Sequence, residues 1–360
     1  MRRQKTFERL TSRRHFLSMP KTSNFVLLPS EFSQQQANEG RLLRAGCTAM
    51  ACQFEIFFST SERQKISYAH QALVEVKRLE KQLTVFCENS EVSRLNREAQ
   101  DVPVTVEENL FRLLAWAILL SHKTDGALDI TAGQLSRCWG FQERQGRVPL
   151  QTEIDQALYS VGFRWVCLNA QRHSVFFRRR GLELNLGCLG KGYALDRAAD
   201  LLRNSGLKSA LLHAGYSTIF AMGCQPGKLK GKSWLVSVRH PLKKSSDIAL
   251  IRLCDQALST SGPAEQFFTH KKKSFGHIID PRSGHPANCN ISVTVIADTA
   301  VEADALSTAF FVMKPKEIAS YCEKTPGVGA LVIQRPTTGM HFVPLVFGLA
   351  THIVEVVRDS

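Results

Sequence analysis

Residues 277–308 read HIIDPRSGHPANCNISVTVIADTAVEADALST. The run at 291–297, ISVTVIA, is short, apolar and rich in β-branched residues, and reads as a strand. Before it, Asp280-Pro281-Arg282-Ser283-Gly284 has turn chemistry, with Asp280 as a turn-former. After it, EADALSTAFF reads as a helix beginning near Glu302. Asp304 and Thr308 are four apart on that helix and share a face. A carboxylate and a hydroxyl are hard oxygen ligands of the kind Mg²⁺ accepts, with waters or phosphate oxygens completing the shell. His277 ends the segment before the turn, and a neutral imidazole can act as a general base near pH 7. Two plainer readings stand beside these. Asp304 can serve the positive N-terminus of its own helix, and a lone histidine can be a structural residue.

Outward from this stretch the chain alternates helices and strands. Residues 53–58 (QFEIFF) are the first strand candidate. Ile66, Ala69, Leu73, Val76, Leu79 and Leu83 then form one apolar stripe at three- and four-residue spacing, which predicts a helix. Residues 86–96 (FCENSEVSRLN) read as a polar loop, and a second helix is expected over 107–122. Residues 124–141 (TDGALDITAGQLSRCWGF) read as a shaped loop with short helices. A strand at 182–186 leads through Gly187-Cys188-Leu189-Gly190-Lys191-Gly192 into a helix from Tyr193. Glycines between a strand and a helix let backbone N–H groups approach a phosphate, and Lys191 adds charge. The segment is neither a Walker A loop nor a GxGxxG sequence, so an ordinary tight turn fits it equally well. Further strands are expected at 209–213, 234–239 and 330–334, with a mobile hairpin over 223–232. Ser261-Gly262-Pro263 lacks the GxSxG pattern of a nucleophile elbow. No internal repeat is visible. Helices mixed with antiparallel-looking strands indicate an α+β fold.

The chain has 360 residues, 44% of them hydrophobic and 22% charged, which is enough for a large core or two subdomains. No apolar run reaches the ~18–20 residues of a membrane helix. The formal net charge is +14. Such a field attracts phosphate-rich partners without choosing among them. With no zinc-finger spacing and no RNP-like strand, nucleic acid is not an expected partner. The ten cysteines lack CxxC pairs, and suit a reducing compartment better than a disulfide framework. Arg2, Arg3, Lys5, Arg9, Arg13 and Arg14 make residues 1–43 a basic leader, read as disordered. Arg13-Arg14 resembles a twin-arginine signal, but no apolar h-region follows. Leu43-Arg44-Ala45-Gly46-Cys47 is likewise a poor lipobox.

Five ordered blocks together resemble the ApbE family of FAD:protein FMN transferases, over roughly residues 44–345. AMACQFEIFF is similar to the family's opening strand, with Met50 at the methionine of its Met-Gly-Thr motif. FCENSEVSRLN is similar to a tyrosine loop followed by Ser-Glu-Leu-Ser-Arg-Phe-Asn. TDGALDITAGQLSRCWGF resembles Gly-Ala-Phe-Asp-x-Thr-x-Gly-Pro-Leu ending in Trp-Gly-Phe. NLGCLGKGYALDRAADLL resembles Asp-Leu-Gly-Gly-Ile-Ala-Lys-Gly-Tyr-Ala-x-Asp. HIIDPRSGHP and ADALSTAFFVM match nearly letter for letter.

The resemblance implies an α+β, ApbE-like (T-fold-related) unit of mixed sheets and packed helices, single, compact and two-lobed, over 44–350, with 351–360 as a C-terminal tail. It also implies Mg²⁺-dependent transfer of FMN from FAD, the substrate, to a Thr or Ser hydroxyl of an acceptor protein, with release of AMP. Non-catalytic FAD binding, or FAD pyrophosphatase action giving FMN and AMP, is the alternative. By the same resemblance Asp304, Thr308 and the Cys188 backbone carbonyl hold the metal, and His277 is the catalytic base. Met50, Phe86, Ala127, Leu128, Asp129, Asn185, Lys191 and His277 fall where the family contacts FAD. Asn185 stands where the family usually has Asp, and His213-Ala214-Gly215-Tyr216-Ser217 replaces Asn-Ala-Gly-Gly-Asp. The acceptor motif Asp-Gly-x-Ser/Thr-Gly-Ala-Thr is absent, so self-flavinylation has no support. A homodimer is left open. The compartment is open too: the lack of a clear signal favours the cytoplasm, whereas family members are often periplasmic or anchored to the inner membrane.

Overall fold

The structure, a computed structural model, describes residues 42–226, 232–241, 246–262, 267–271, 273–334 and 344–357. The basic leader up to residue 41 lies outside the described residues, as does part of the 223–232 segment. The N-terminal half carries β1 (Leu42–Ala49), β2 (Cys52–Ser59), α1 (Ile66–Leu83), α2 (Glu91–Glu98), β3 (Val104–Thr105), α3 (Glu108–Lys123), α4 (Gly133–Cys138) and α5 (Gln151–Tyr159). Then come β4 (Val166–Asn169), β5 (Ser174–Phe177), α6 (Gly190–Asn204), β6 (Ala210–Ala214), β7 (Thr218–Met222), β8 (Trp234–Arg239), β9 (Asp247–Leu253) and β10 (Gln256–Ser261). The chain ends with β11 (Phe267–His270), β12 (Lys273–Gly276), β13 (Asn290–Ala297), α7 (Ala300–Val312), α8 (Pro315–Lys324), β14 (Gly329–Gln334), β15 (Leu345–Phe347) and β16 (Val354–Val356).

An eight-stranded sheet of order β1-β2-β6-β7-β10-β13-β14-β15 is the frame, and its neighbours pair antiparallel. Side chains alternate across it. Phe54, Ile56 and Phe58 of β2 enter a core shared with α1, α6 and α7. Phe57 points to the opposite face, where it meets Trp234, Val236 and Ile251 of the smaller sheet β16-β9-β8. The frame is thus covered on both faces. That explains why every residue of β13 is buried and why its sequence reads as a continuous apolar run rather than an alternation. The stripe predicted for α1 is its buried face, and it packs on α6.

Several local expectations change. Residues 91–98 form α2 rather than a loop: Ser90 caps the helix by accepting from the Ser93 N–H at 3.0 Å, and Val92 and Leu95 are buried. Eight residues with mostly charged neighbours show too little apolar periodicity to stand out. Residues 182–186 are extended but join no sheet. Asn96 holds Leu184 in both directions, donating to its carbonyl at 3.0 Å and accepting from its N–H at 2.8 Å. The following helix begins at Gly190, three residues early. Residues 351–360 are not simply a tail, because β16 pairs with β9 through Val354–Val356. One cysteine pair does close: Cys224 and Cys254, which the ends of β7 and β9 bring together, form a disulfide. Among the described residues, no helix is long and apolar enough to cross a membrane.

Candidate active site

The N-terminus of α6 crosses the first turns of α7 so closely that a Cβ on Gly192 would stand 2.1 Å from the Ala300 carbonyl oxygen. Only glycine fits there. Three hydrogen bonds lock the crossing. Asp196 accepts from the N–H groups of Ala300 and Val301, each at 2.8 Å, and so caps α7 from another helix. Burial pushes the Asp196 carboxyl up to about 7, against the pull of those two N–H groups. In the other direction, the Gly192 N–H donates to Asp304 Oδ2 at 3.0 Å. In a helix continued backward, that N–H would serve the Cys188 carbonyl four residues earlier. Here it serves Asp304.

Asp304 is 3% exposed, and it does not serve the N-terminus of its own helix. Thr218 of β7 and Ser259 of β10 donate to Oδ1, each at 3.1 Å, and Lys191 Nζ lies 3.6 Å from the same oxygen. Around this carboxylate lies a shell of hydroxyls. Ser261 is 2.8 Å from the Ser307 hydroxyl and 3.5 Å from that of Thr308, whose Oγ1 also reaches the Asp304 carbonyl at 3.4 Å. Cys188 borders the cluster. Burial and then the Asp304 charge push its thiol up to about 12, with a smaller contribution from Asp129. A neutral thiol adds no charge, so the donors here are almost entirely oxygens. Among the described residues there is no group of three or more His, Cys, Asp or Glu side chains set to hold a metal. One carboxylate among hydroxyls and a carbonyl suits a hard cation that keeps other oxygens of its own.

Of the remaining predicted positions, Met50 and Asn185 brace the start of α6, whereas His277 packs in an aromatic group with Phe141. Met50 sits in the β1–β2 turn with φ 48°, its N–H donates to Glu80 at 2.5 Å, and its sulfur packs toward Gly190. Asn185 accepts from the Gly187 N–H at 2.9 Å, and its own N–H reaches the Ile130 carbonyl at 2.7 Å. An aspartate would accept from Gly187 in the same way, so the turn is preserved despite the missing charge. Asp129 accepts from the N–H and hydroxyl of Thr131 at 2.8 and 2.7 Å, and from the Phe163 N–H at 3.0 Å. Burial raises its carboxyl above the usual range, and those bonds oppose the rise. Ala127 and Leu128 are buried in the main core, and their N–H groups donate to the Thr124 carbonyl at 3.0 Å and its hydroxyl at 3.3 Å. Phe86 is 75% exposed. The His277 ring lies 6.5 Å from that of Phe141, within a group that also holds Trp139 and Phe275. Trp139 donates to the Gly284 carbonyl at 2.8 Å, which ties the WGF segment to the turn after His277.

Sequence reasoning missed Thr218, Ser259 and Ser307. Single hydroxyls within apolar strands and helices carry no spacing signal, and only the pairing of β7 with β10 brings the first two under Asp304.

A model of the ApbE family matches residues 50–332, which takes in β2, the α6–α7 crossing and β13. The chain belongs to the ApbE family. Among its relatives is the FAD:protein FMN transferase of Treponema pallidum (strain Nichols), 33% identical over 280 residues, covering 73% of this chain and 77% of the relative. The Escherichia coli (strain K12) protein of the same name is 30% identical over 241 residues, covering 65% and 68%. In structure, the ApbE protein of Thermotoga maritima superposes with a TM-score of 0.76 at 30% identity, covering 82% of this chain and 94% of that one. The Pseudomonas stutzeri flavinyl transferase ApbE superposes at 0.73 with 25% identity, covering 87% and 98%. The expected ApbE-like α+β fold is therefore the observed one.

Proposed function

We propose that this ApbE-family chain is an FAD:protein FMN transferase that moves FMN from FAD to a Thr or Ser hydroxyl of an acceptor protein. The hydroxyl oxygen bonds to the phosphorus on the FMN side, the bond from that phosphorus to the AMP oxygen breaks, and AMP leaves. The observation that carries this reading is the buried Asp304, gathered with Lys191, the Gly192 N–H and the hydroxyls of β7 and β10 at one helix crossing.

Each group has a part that its surroundings support. Asp304, the Thr308 hydroxyl and the Cys188 carbonyl would hold Mg²⁺. The diversion of the Gly192 N–H to Asp304 keeps that carbonyl out of the helical ladder. Bound there, the ion supplies positive charge against pyrophosphate oxygens. Lys191 contributes a second charge on the same side, 3.6 Å from Asp304 Oδ1. His277 takes the proton of the acceptor hydroxyl. Met50, Phe86, Asn185, Asp129 and the backbone at Ala127 and Leu128 line the path of FAD. Transfer of this kind depends on positioning and charge stabilisation more than on reactive side chains.

The test is incubation with FAD, Mg²⁺ and an acceptor domain of the flavin-carrying type. Fluorescent flavin that stays on the acceptor after denaturation, together with released AMP, is the expected result. Free FMN with AMP and an unlabelled acceptor would make water the nucleophile. FAD binding without AMP would remove the transferase reading.

A further inference from the structure

The β6–β7 connection, Gly215-Tyr216-Ser217, runs through two left-handed residues, with φ 59° at Gly215 and 63° at Tyr216. Gly215 has reason to be glycine, since a Cβ there would lie 2.8 Å from that of Cys52. Tyr216 has no such excuse: a tyrosine takes this conformation only against its backbone preference. The residue is nevertheless 69% exposed. The ring is also firmly placed. It stacks on His213 at 4.8 Å and 25°, and His213 stacks with Phe57 at 5.7 Å and 26°. His213 is fully buried, with Nε2 2.7 Å from Glu55 Oε2. Three near-parallel rings thus run along the Glu55 face of the sheet, opposite Asp304, to the sheet's end, where the last is exposed.

That end of the sheet is the one that carries the site. The Gly215 N–H donates to the Gln53 carbonyl at 2.8 Å, beside the turn that points Met50 at Gly190. Thr218, two residues after Tyr216, donates to Asp304. An exposed aromatic ring, held against backbone preference on a buried stack, is suited to extend that stack by one more flat ring. FAD carries two.

We infer that Tyr216 is a stacking plate for a flat ring of FAD and sets the grip of the protein on that substrate, an inference that rests on the FAD reading above. The experiment is titration of the full chain, and of its Tyr216→Gly and Tyr216→Phe variants, with FAD, FMN and ADP, together with thermal melts. Tyr216→Gly is expected to weaken FAD binding about tenfold. Its melting temperature should hold or rise, because glycine is at ease at this φ. Tyr216→Phe keeps the ring and should bind as the parent does. A parallel loss for FMN would place the flavin on the plate, and one for ADP the adenine. If Tyr216→Gly binds FAD within about twofold of the parent, less than one stacked ring contributes, the inference is overturned and the FAD reading stands. A melting temperature that falls in step with affinity would make Tyr216 a structural residue and also overturn it. A parent chain that binds no FAD would overturn both.

Discussion

Asp304 and Glu55 are both buried carboxylates, each 3% exposed, on opposite faces of one sheet. Glu55 is answered by the charge of Arg44, which reaches one oxygen, and His213 lies 2.7 Å from the other. Burial pushes the Glu55 carboxyl up, but the hydrogen bonds and charges of His213 and Arg44 outweigh it and hold it below the usual range. Asp304 is answered mainly by neutral donors, with Lys191 more distant at 3.6 Å. A carboxylate matched by a near cation is a completed structural unit. One matched by hydroxyls and an N–H group keeps charge available for an incoming cation. Burial alone therefore does not mark a site; the kind of partner does.

The largest way to break this contrast is Asp304→Asn. It keeps the shape and the neighbouring hydroxyls but removes the charge, and should lower transfer about a hundredfold or more. Flavin incorporation per minute, read beside a melt that moves little, checks it. Glu55→Ala should do the reverse. It strands His213 and Arg44 and should cost about 3 kcal/mol of stability, measured by urea unfolding. The pH sense follows from the lowered carboxyl. Its stabilisation is full above the unfolded value near 4.5 and is lost as pH falls through the lower folded value. The alanine variant should therefore show a flatter acid limb.

Gly192→Ala tests whether the crossing and the cluster are one object. The added methyl meets the Ala300 carbonyl, and overpacking of this sort costs about 1–3 kcal/mol. Transfer should fall with stability, since Asp304 loses its place against α6. Asn185→Asp is the mildest change. The acceptor for Gly187 is retained, so stability should stay within about 0.5 kcal/mol. A shift in the Mg²⁺ concentration needed for half-maximal transfer would show whether the added charge reaches the proposed metal position.

Much of this was legible in residue order, for physical reasons that differ by region. The α1 stripe and the apolar run of β13 announced themselves because packing on a flat sheet imposes periodicity or continuity. Asp304 and Thr308 were visible as a pair four apart, yet their spacing fitted a helix-end role equally well. The Gly192 N–H, 112 residues away in sequence, shows that Asp304 serves the start of another helix rather than its own. Thr218, Ser259 and the His213–Glu55 pair were illegible for the same reason: strand pairing brings them together, and a strand sequence does not name its neighbour. The Cys224–Cys254 bridge belongs with them. The α2 helix escaped because its signal is a cap at Ser90 and two buried residues rather than a stripe.

The bond between Gly192 and Asp304 also sets an order of events. A chain leaving the ribosome exposes α6 long before α7, so the first part of the site is made and waits. The nascent protein carries the start of α6, Lys191 and the Met50 turn for 112 residues of synthesis before the carboxylate that completes them. The cluster is then completed late and in one step, when α7 docks.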